Sequence, residues 1–272
     1  MTAVWIVLGV VAVVLVVGGA YSRKQARRRK EALARRLDPQ ERKRLEELFP
    51  LWRKIPEELH GRIEGLMFAF LEEKVFEPCG GIEEITRDME LAIAAPACLL
   101  IVNHSLDEYR RLRSILVYPD AYRVKDEWGV EDVRLGESWG SGTVVLAWKS
   151  VLSGDRNPED GLNVVLHEFA HQLDQTDGAG DGVPELDDAG EYGRWSAAFR
   201  PAFEEFKDIV RRGLPSVIDE YGATNPAEFF AVVTETFFER AGKLREEEPE
   251  LYEELRRFYG MDPAEWRLRP SF

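Results

Sequence analysis

The chain has 272 residues, 44% of them hydrophobic, with 22 Gly, 14 Pro and 2 Cys. This composition supports a buried core and excludes collagen-like, disordered and disulfide-stapled classes. A formal net charge of −14 argues against a general cationic face for gripping phosphates, so direct nucleic-acid binding is not expected.

The charge is unevenly spread. Residues 1–36 hold eight of the 36 basic residues and one of the 50 acids, which leaves 28 against 49, or −21, on the remainder. Ahead of that basic cluster, no residue from Ala3 to Ala20 is charged. At about 1.5 Å per residue the run covers ~27 Å of hydrocarbon, enough for one transmembrane helix. Trp5 and Tyr21 stand near its ends, where amphipathic rings favour the headgroup zone. A cleaved signal peptide is the competing reading, with Gly18, Gly19 and Ala20 as small residues at a cleavage site. No basic region precedes the run, however, and the Arg/Lys cluster follows it, which by the positive-inside preference keeps the rest of the chain in the cytoplasm. Residues 1–22 are expected to be the anchor, 23–37 a basic juxtamembrane segment drawn to anionic lipid, and 38–272 one catalytic-size domain. A nucleic-acid arm is the minor alternative for the basic run. Cys79 and Cys98 form no Cys-x-x-Cys pair and are expected to be reduced, small buried residues.

Within the body, Asp38-Pro39-Gln40-Glu41 starts a short helix running to about Leu48. Pro56 opens a second, in which Leu59, Ile63, Leu66, Met67, Phe70 and Leu71 keep helical spacing towards Phe76. Gly80-Gly81 precedes a third helical stretch containing Ile85, Met89, Leu91 and Ile93. After Pro96, the apolar runs Cys98–Val102, Ile115–Tyr118 and Thr143–Trp148 are predicted as strands of a small mixed sheet, separated by segments such as Gly136–Gly142. Helices are predicted near 161–174, 191–212, 226–241 and 249–259. The fold class is α+β, mainly helical.

The chemistry is concentrated in the first of these late helices. His167-Glu168-Phe169-Ala170-His171 lies inside an apolar, proline-free run. Four residues of helix put both imidazoles on one face, about 6 Å apart along the axis, within reach of one zinc ion. Glu168 projects about 100° away, where it can hold a water on the metal. The chain has 4 His in total, and two fall at this spacing. Burying two imidazoles and a carboxylate without a partner is costly, which favours a metal over a plain core helix.

A catalytic zinc takes three protein ligands and keeps one position for water. Nothing marks His60 or His104 as the third, and core or solvated roles suit them. Asp177 lies six beyond His171, but Asp174 occupies the place of the glycine that would turn the chain back. Glu228 follows Asn225 and Pro226 into the first turn of an apolar helix. It suits a metal ligand and, equally, the acidic member of a capping box with Asn225. Glu235, seven residues on and on nearly the same face, is an alternative ligand, a partner for a histidine or a surface acid.

His-Glu-Phe-Ala-His-Gln-Leu-Asp at 167–174 and Tyr-Gly-Ala-Thr-Asn-Pro-Ala-Glu at 221–228 resemble the Mlc titration factor A family of glucose-regulated zinc metallopeptidases. The likeness extends through Phe76–Gly81, Ala94–Leu100, Leu116–Asp120 and Ser141-Gly142, over most of residues 48–260. It implies a zincin-like domain holding one zinc ion per chain, with His167, His171 and Glu228 as ligands. It further implies Glu168 as general base and Tyr221 as hydrogen-bond donor to the tetrahedral oxyanion, roles that peptide hydrolysis requires. The substrate would be a peptide or protein, with an aminopeptidase-like preference, docked along the open edge of the Thr143–Trp148 strand. The alternative is a regulatory protein that binds and titrates a transcriptional repressor, with peptidase activity secondary. Familiar soluble members lack the span at 3–20, so this chain is expected to be a single-pass protein of the bacterial inner membrane, its catalytic domain cytoplasmic.

Overall fold

The computed structural model describes residues 18–19, 22–120, 122–125, 131–134, 136–139, 142–154, 157 and 159–267. The predicted membrane span lies outside these residues except for Gly18 and Gly19. No helix among the described residues is long and apolar enough to cross a membrane.

Helix α1 (22–33) carries most of the basic run. Helix α2 (Pro39–Leu48) starts as predicted: Asp38 accepts from Gln40 N and Glu41 N, Pro39 takes the first position, and the Glu41 carboxylate returns to Asp38 N. Helix α3 (Glu57–Glu73) buries the Ile63–Phe70 face. Arg29 of α1 forks onto Glu73 at 2.6 and 3.0 Å and reaches Asp107 at 2.8 Å. The helices approach so closely that a Cβ on Gly65 would lie 2.3 Å from the Leu33 carbonyl oxygen. Thus α1 is seated against α3.

Helix α3 stops short of Phe76. Lys74 turns extended, and its buried ammonium donates to the carbonyls of Tyr109 and Leu112, which swings the chain into strand β1 (Val75–Pro78). Helix α4 (Arg87–Leu100) corrects the second expectation: Cys98–Val102 is not a strand, and Pro96 sits inside the helix. The proline forfeits one backbone hydrogen bond. Residues 91–100 are nevertheless all buried among α2, α3 and α6, and that packing outweighs the break.

Strand β2 (Ser114–Tyr118) lies where predicted. A separate hairpin pairs β3 (Tyr122–Lys125) with β4 (Glu131–Arg134). Strand β5 (Gly136–Trp139) falls in a segment expected to be a connector, and β6 (Thr143–Ala147) follows it. The main sheet has the order β1-β2-β6-β5, with β1, β2 and β6 parallel and β5 antiparallel to β6. It is the small mixed sheet expected, but β6 is paired on both sides and offers no open edge. Among the described residues the outer strands are β1 and β5, so the predicted docking strand is corrected on this ground.

Helices α5 (Trp148–Gly154), α6 (Val164–Asp174), α7 (Ala189–Arg211), α8 (Pro226–Glu239), α9 (Ala241–Glu247) and α10 (Pro249–Tyr259) complete the chain. The predicted helix over 226–241 is divided at Arg240, which leaves helical geometry between α8 and α9. Helix α6 is central, touching α4, α8, β5 and β6. Phe169 on its inner face meets Phe70 and Tyr109, while Trp195, Phe199, Phe229 and Phe230 join α7 to α8. Both helices that carry candidate ligands are therefore rooted in the aromatic core.

Candidate metal centre

Helix α6 begins at Asn163, whose side-chain oxygen accepts from Val165 N and Leu166 N and satisfies two otherwise orphaned donors. Burial of Val165, Leu166, Phe169, Ala170 and Leu173 fixes the helix's rotation and turns His167 and His171 to one side. Their ring centroids are 4.8 Å apart and their Nε2 atoms 3.2 Å apart.

Helix α8 supplies the third group. Asn225 caps it by accepting from Glu228 N at 3.0 Å. The Glu228 carboxylate does not close the capping box. Its Oε2 lies 3.0 Å from His167 Nε2 and 3.3 Å from His171 Nε2. The backbone of Glu228 thus serves the cap while its side chain faces the imidazoles, so the capping-box role weighed for its carboxylate is not the one it takes. One donor atom from each of His167, His171 and Glu228 lies within 4.8 Å of the others, the arrangement of a group able to hold a metal ion.

Among the other predicted residues, Glu168 is buried on α6 beside His167. Tyr221 lies in the short turn Glu220–Ala223 just before α8, 54% exposed, its ring 5.9 Å from that of His167. Glu235 proves to be a partner of histidine: its Oε1 stands 2.7 Å from His167 Nδ1. Asp177 is not in the cluster; its carboxylate accepts from Ala179 N in a turn. His60 stacks on Trp52 with centroids 4.1 Å apart, and His104 faces the Phe258 carbonyl at 2.7 Å. Neither belongs to the site.

The electrostatics favour positive charge where the three donors meet. Burial pushes the Glu228 carboxyl up, but hydrogen bonds and attraction from both imidazoles overcome it and hold it at about 2. Burial disfavours an imidazolium at His167, yet Glu235, Glu228 and Glu168 outweigh it and raise that ring well above its ordinary value. Whether a proton or a metal ion carries it, a cation is attracted here.

In the sequence, Asp174 served only to discount Asp177, and its own role went unassigned. It is fully buried, and its Oδ1 accepts from Gly182 N at 2.8 Å and Val183 N at 2.9 Å, holding the loop after α6 beneath the start of α8. At Gly182, φ is +83°, and a Cβ would lie 2.4 Å from the Pro226 carbonyl oxygen. An acid closing an otherwise apolar helix, with a glycine-rich loop behind it, was the available signal.

Two imidazoles and a carboxylate, borne on two helices beside a small sheet, make a donor set of the metallohydrolase type, with nitrogen and oxygen ligands suited to a divalent ion. The profile of the glucose-regulated metallo-peptidase M90 family matches residues 23–260, and the chain belongs to that family. An uncharacterised protein of Synechocystis sp. is 40% identical over 245 residues, covering 87% of this chain and 89% of its own. Mlc titration factor A of Cronobacter sakazakii is 32% identical over 234 residues, 81% of this chain and 85% of that one. Its namesake in Escherichia fergusonii is 32% identical over 236 residues, covering 82% and 86%.

Proposed function

We propose that the protein is a zinc-dependent peptidase holding one zinc ion per chain through His167, His171 and Glu228. The observation that carries this reading is the convergence of His167 Nε2, His171 Nε2 and Glu228 Oε2 at separations of 3.0 to 3.3 Å. Two imidazole nitrogens and a carboxylate oxygen converge there on one point, where the surrounding acids attract a cation. Zinc bound there supplies Lewis acidity and makes a water acidic enough to deprotonate near neutral pH.

The chain's own residues do the rest. Glu168, between the two imidazoles in sequence, serves as general base for the attacking water. Tyr221 donates a hydrogen bond to the oxygen that becomes negative in the tetrahedral state. An extended peptide docks on β5, the outer strand beside α6 among the described residues, by adding its backbone to the sheet. The apolar run at 3–20 tethers the enzyme to the bacterial inner membrane, with the basic residues and the catalytic body on the cytoplasmic side.

The decisive measurement is Glu168→Gln. The variant retains one zinc per chain by elemental analysis while cleavage of a chromogenic peptide falls by about 10²- to 10⁴-fold, the range for loss of a general base. Undiminished turnover removes Glu168 from that role. The name of the enterobacterial relatives, Mlc titration factor A, supports a second reading, in which the chain binds and titrates a transcriptional repressor. Repressor binding by a protein that cleaves no peptide favours that alternative.

A further inference from the structure

Glu235 and Glu239, one helical turn apart on α8, both reach the start of α6 and are both buried. One Glu235 oxygen accepts the peptide N–H of Asn163, and the other stands 2.7 Å from Nδ1 of His167. Glu239 accepts from Gly161 N at 3.1 Å and from the Asn163 side-chain amide at 3.2 Å. Asn163 in turn caps α6. The two carboxylates therefore clasp the N-terminus of the helix that carries the His-Glu-x-x-His segment, and only Glu235 also touches an imidazole.

Donor and acceptor capacity decides what that contact does. A peptide N–H can only donate and an ionised carboxylate can only accept, so in that state the oxygen facing the imidazole accepts as well. The ring hydrogen of His167 then resides on Nδ1. In the neutral ring that binds a metal, the one remaining lone pair is on Nε2, the atom turned toward His171 Nε2 and Glu228 Oε2.

We propose that Glu235 is a positioning residue for His167: it fixes the Nδ1–H tautomer and the ring's orientation, and so presents Nε2 to the metal. The inference rests on the zinc reading above. Glutamine is no substitute, because both neighbours of Glu235 donate and an amide offers a single acceptor oxygen.

The test measures zinc affinity of the full chain by competition with a chromophoric chelator, beside Glu235→Gln and Glu239→Gln. Glu235→Gln is expected to weaken zinc binding by about ten- to a hundredfold, the usual effect of losing an acceptor behind a ligating histidine. Glu239→Gln perturbs the same helix start without touching the ring and leaves affinity near wild type. An equal loss in Glu239→Gln assigns the effect to the helix cap and overturns the positioning role, as does wild-type affinity in Glu235→Gln. Long-range ¹H–¹⁵N correlation spectra of the zinc-loaded wild type read the tautomer even if Glu235→Gln does not fold. Hydrogen on Nδ1 of His167 with zinc on Nε2 is expected, and the reverse overturns the proposal. A wild type that takes up no zinc defeats the underlying zinc reading as well, a result distinct from tight wild-type binding with Glu235→Gln unchanged.

Discussion

Glu228 and His167 stand 61 positions apart in the chain, yet a carboxylate oxygen of one lies 3.0 Å from Nε2 of the other. The contact joins α6 to α8, so a metal ion at this point is held by both helices and stabilises the native state alone. A ligand bound only by the folded protein adds about 2.7 kcal/mol at a hundred times its dissociation constant. Zinc is therefore expected to raise the melting temperature of the wild type, and a chelator to lower it. Glu228→Ala should melt at a temperature indifferent to both. Calorimetry with and without zinc checks this, and a variant as zinc-responsive as the wild type counts against Glu228 as a ligand.

Asp174 gives a pH dependence of defined sign. Burial raises its pKa to about 6, against hydrogen bonds from the Gly182 and Val183 peptides and the attraction of His171, while its Oδ2 is buried without a hydrogen-bond partner. In the unfolded chain the group titrates near 3.8. Between these values the native state holds a proton that the unfolded state has released, so this group's contribution to stability falls as pH rises from about 4 to about 6. The fall is on the order of 2 to 3 kcal/mol. Asp174→Asn keeps an acceptor for Gly182 and Val183 and removes the titration. Urea unfolding at pH 4 and pH 7 should show a smaller drop in the variant; parallel pH profiles refute the assignment.

The site was more legible in the sequence than the sheet beside it. His167 and His171 declare themselves because helical spacing is local, and Asn225-Pro226 fixes where Glu228 enters its helix. The facing of Glu228 was not legible, because an acid three residues after a cap reads equally well as part of that cap. Pro96 misled for a related reason: a proline weakens a helix locally, and only the burial of residues 91–100 among three other helices restores it. Strand β1 escaped notice because its pairing partner, β2, begins at Ser114, far along the chain. Side chains that act locally were visible, whereas those whose role depends on a distant partner were not.

The loop after α6 should be intolerant at one glycine. Gly182 adopts φ +83°, and a methyl group there would come within 2.4 Å of the Pro226 carbonyl oxygen at the first position of α8. Gly182→Ala therefore combines backbone strain with a collision that only movement of α8 relieves. Because Glu228 sits two residues beyond Pro226, stability and zinc affinity should fall together. Gly180→Ala is the control: it has comparable φ, +63°, but its nearest neighbour would be the flexible Gln175 side chain at 3.6 Å. It should lose stability while retaining zinc. Chelator competition and thermal melts on the two variants separate these effects, and equal zinc affinities in both remove the coupling between loop and ligand.

Of the ion pairs that hold the N-terminal helices, two differ in burial, and burial decides which of them matters more. The Glu64 side chain is fully buried and Arg42 lies 2.8 Å from it, while Arg29 meets Glu73 at 2.6 Å with 31% and 18% of the two side chains exposed. Removing Arg42 leaves a carboxylate in the core with only the Leu37 peptide N–H, at 3.3 Å, still donating to it. Such an uncompensated buried charge costs about 3 to 5 kcal/mol. Because Arg42 is itself 43% exposed, water can partly replace it, which puts Arg42→Ala near the lower end, at roughly 3 kcal/mol. Arg29→Ala breaks a more accessible pair and should cost about 1 kcal/mol. The double variant Arg42→Met with Glu64→Leu removes the stranded charge and should recover most of the loss, since apolar replacements of buried ion pairs are often neutral. Equilibrium unfolding of the four proteins, wild type included, measures the order. A smaller cost for Arg42→Ala than for Arg29→Ala would mean that water reaches Glu64 and that the carboxylate is not sealed beneath the α1–α2 linker.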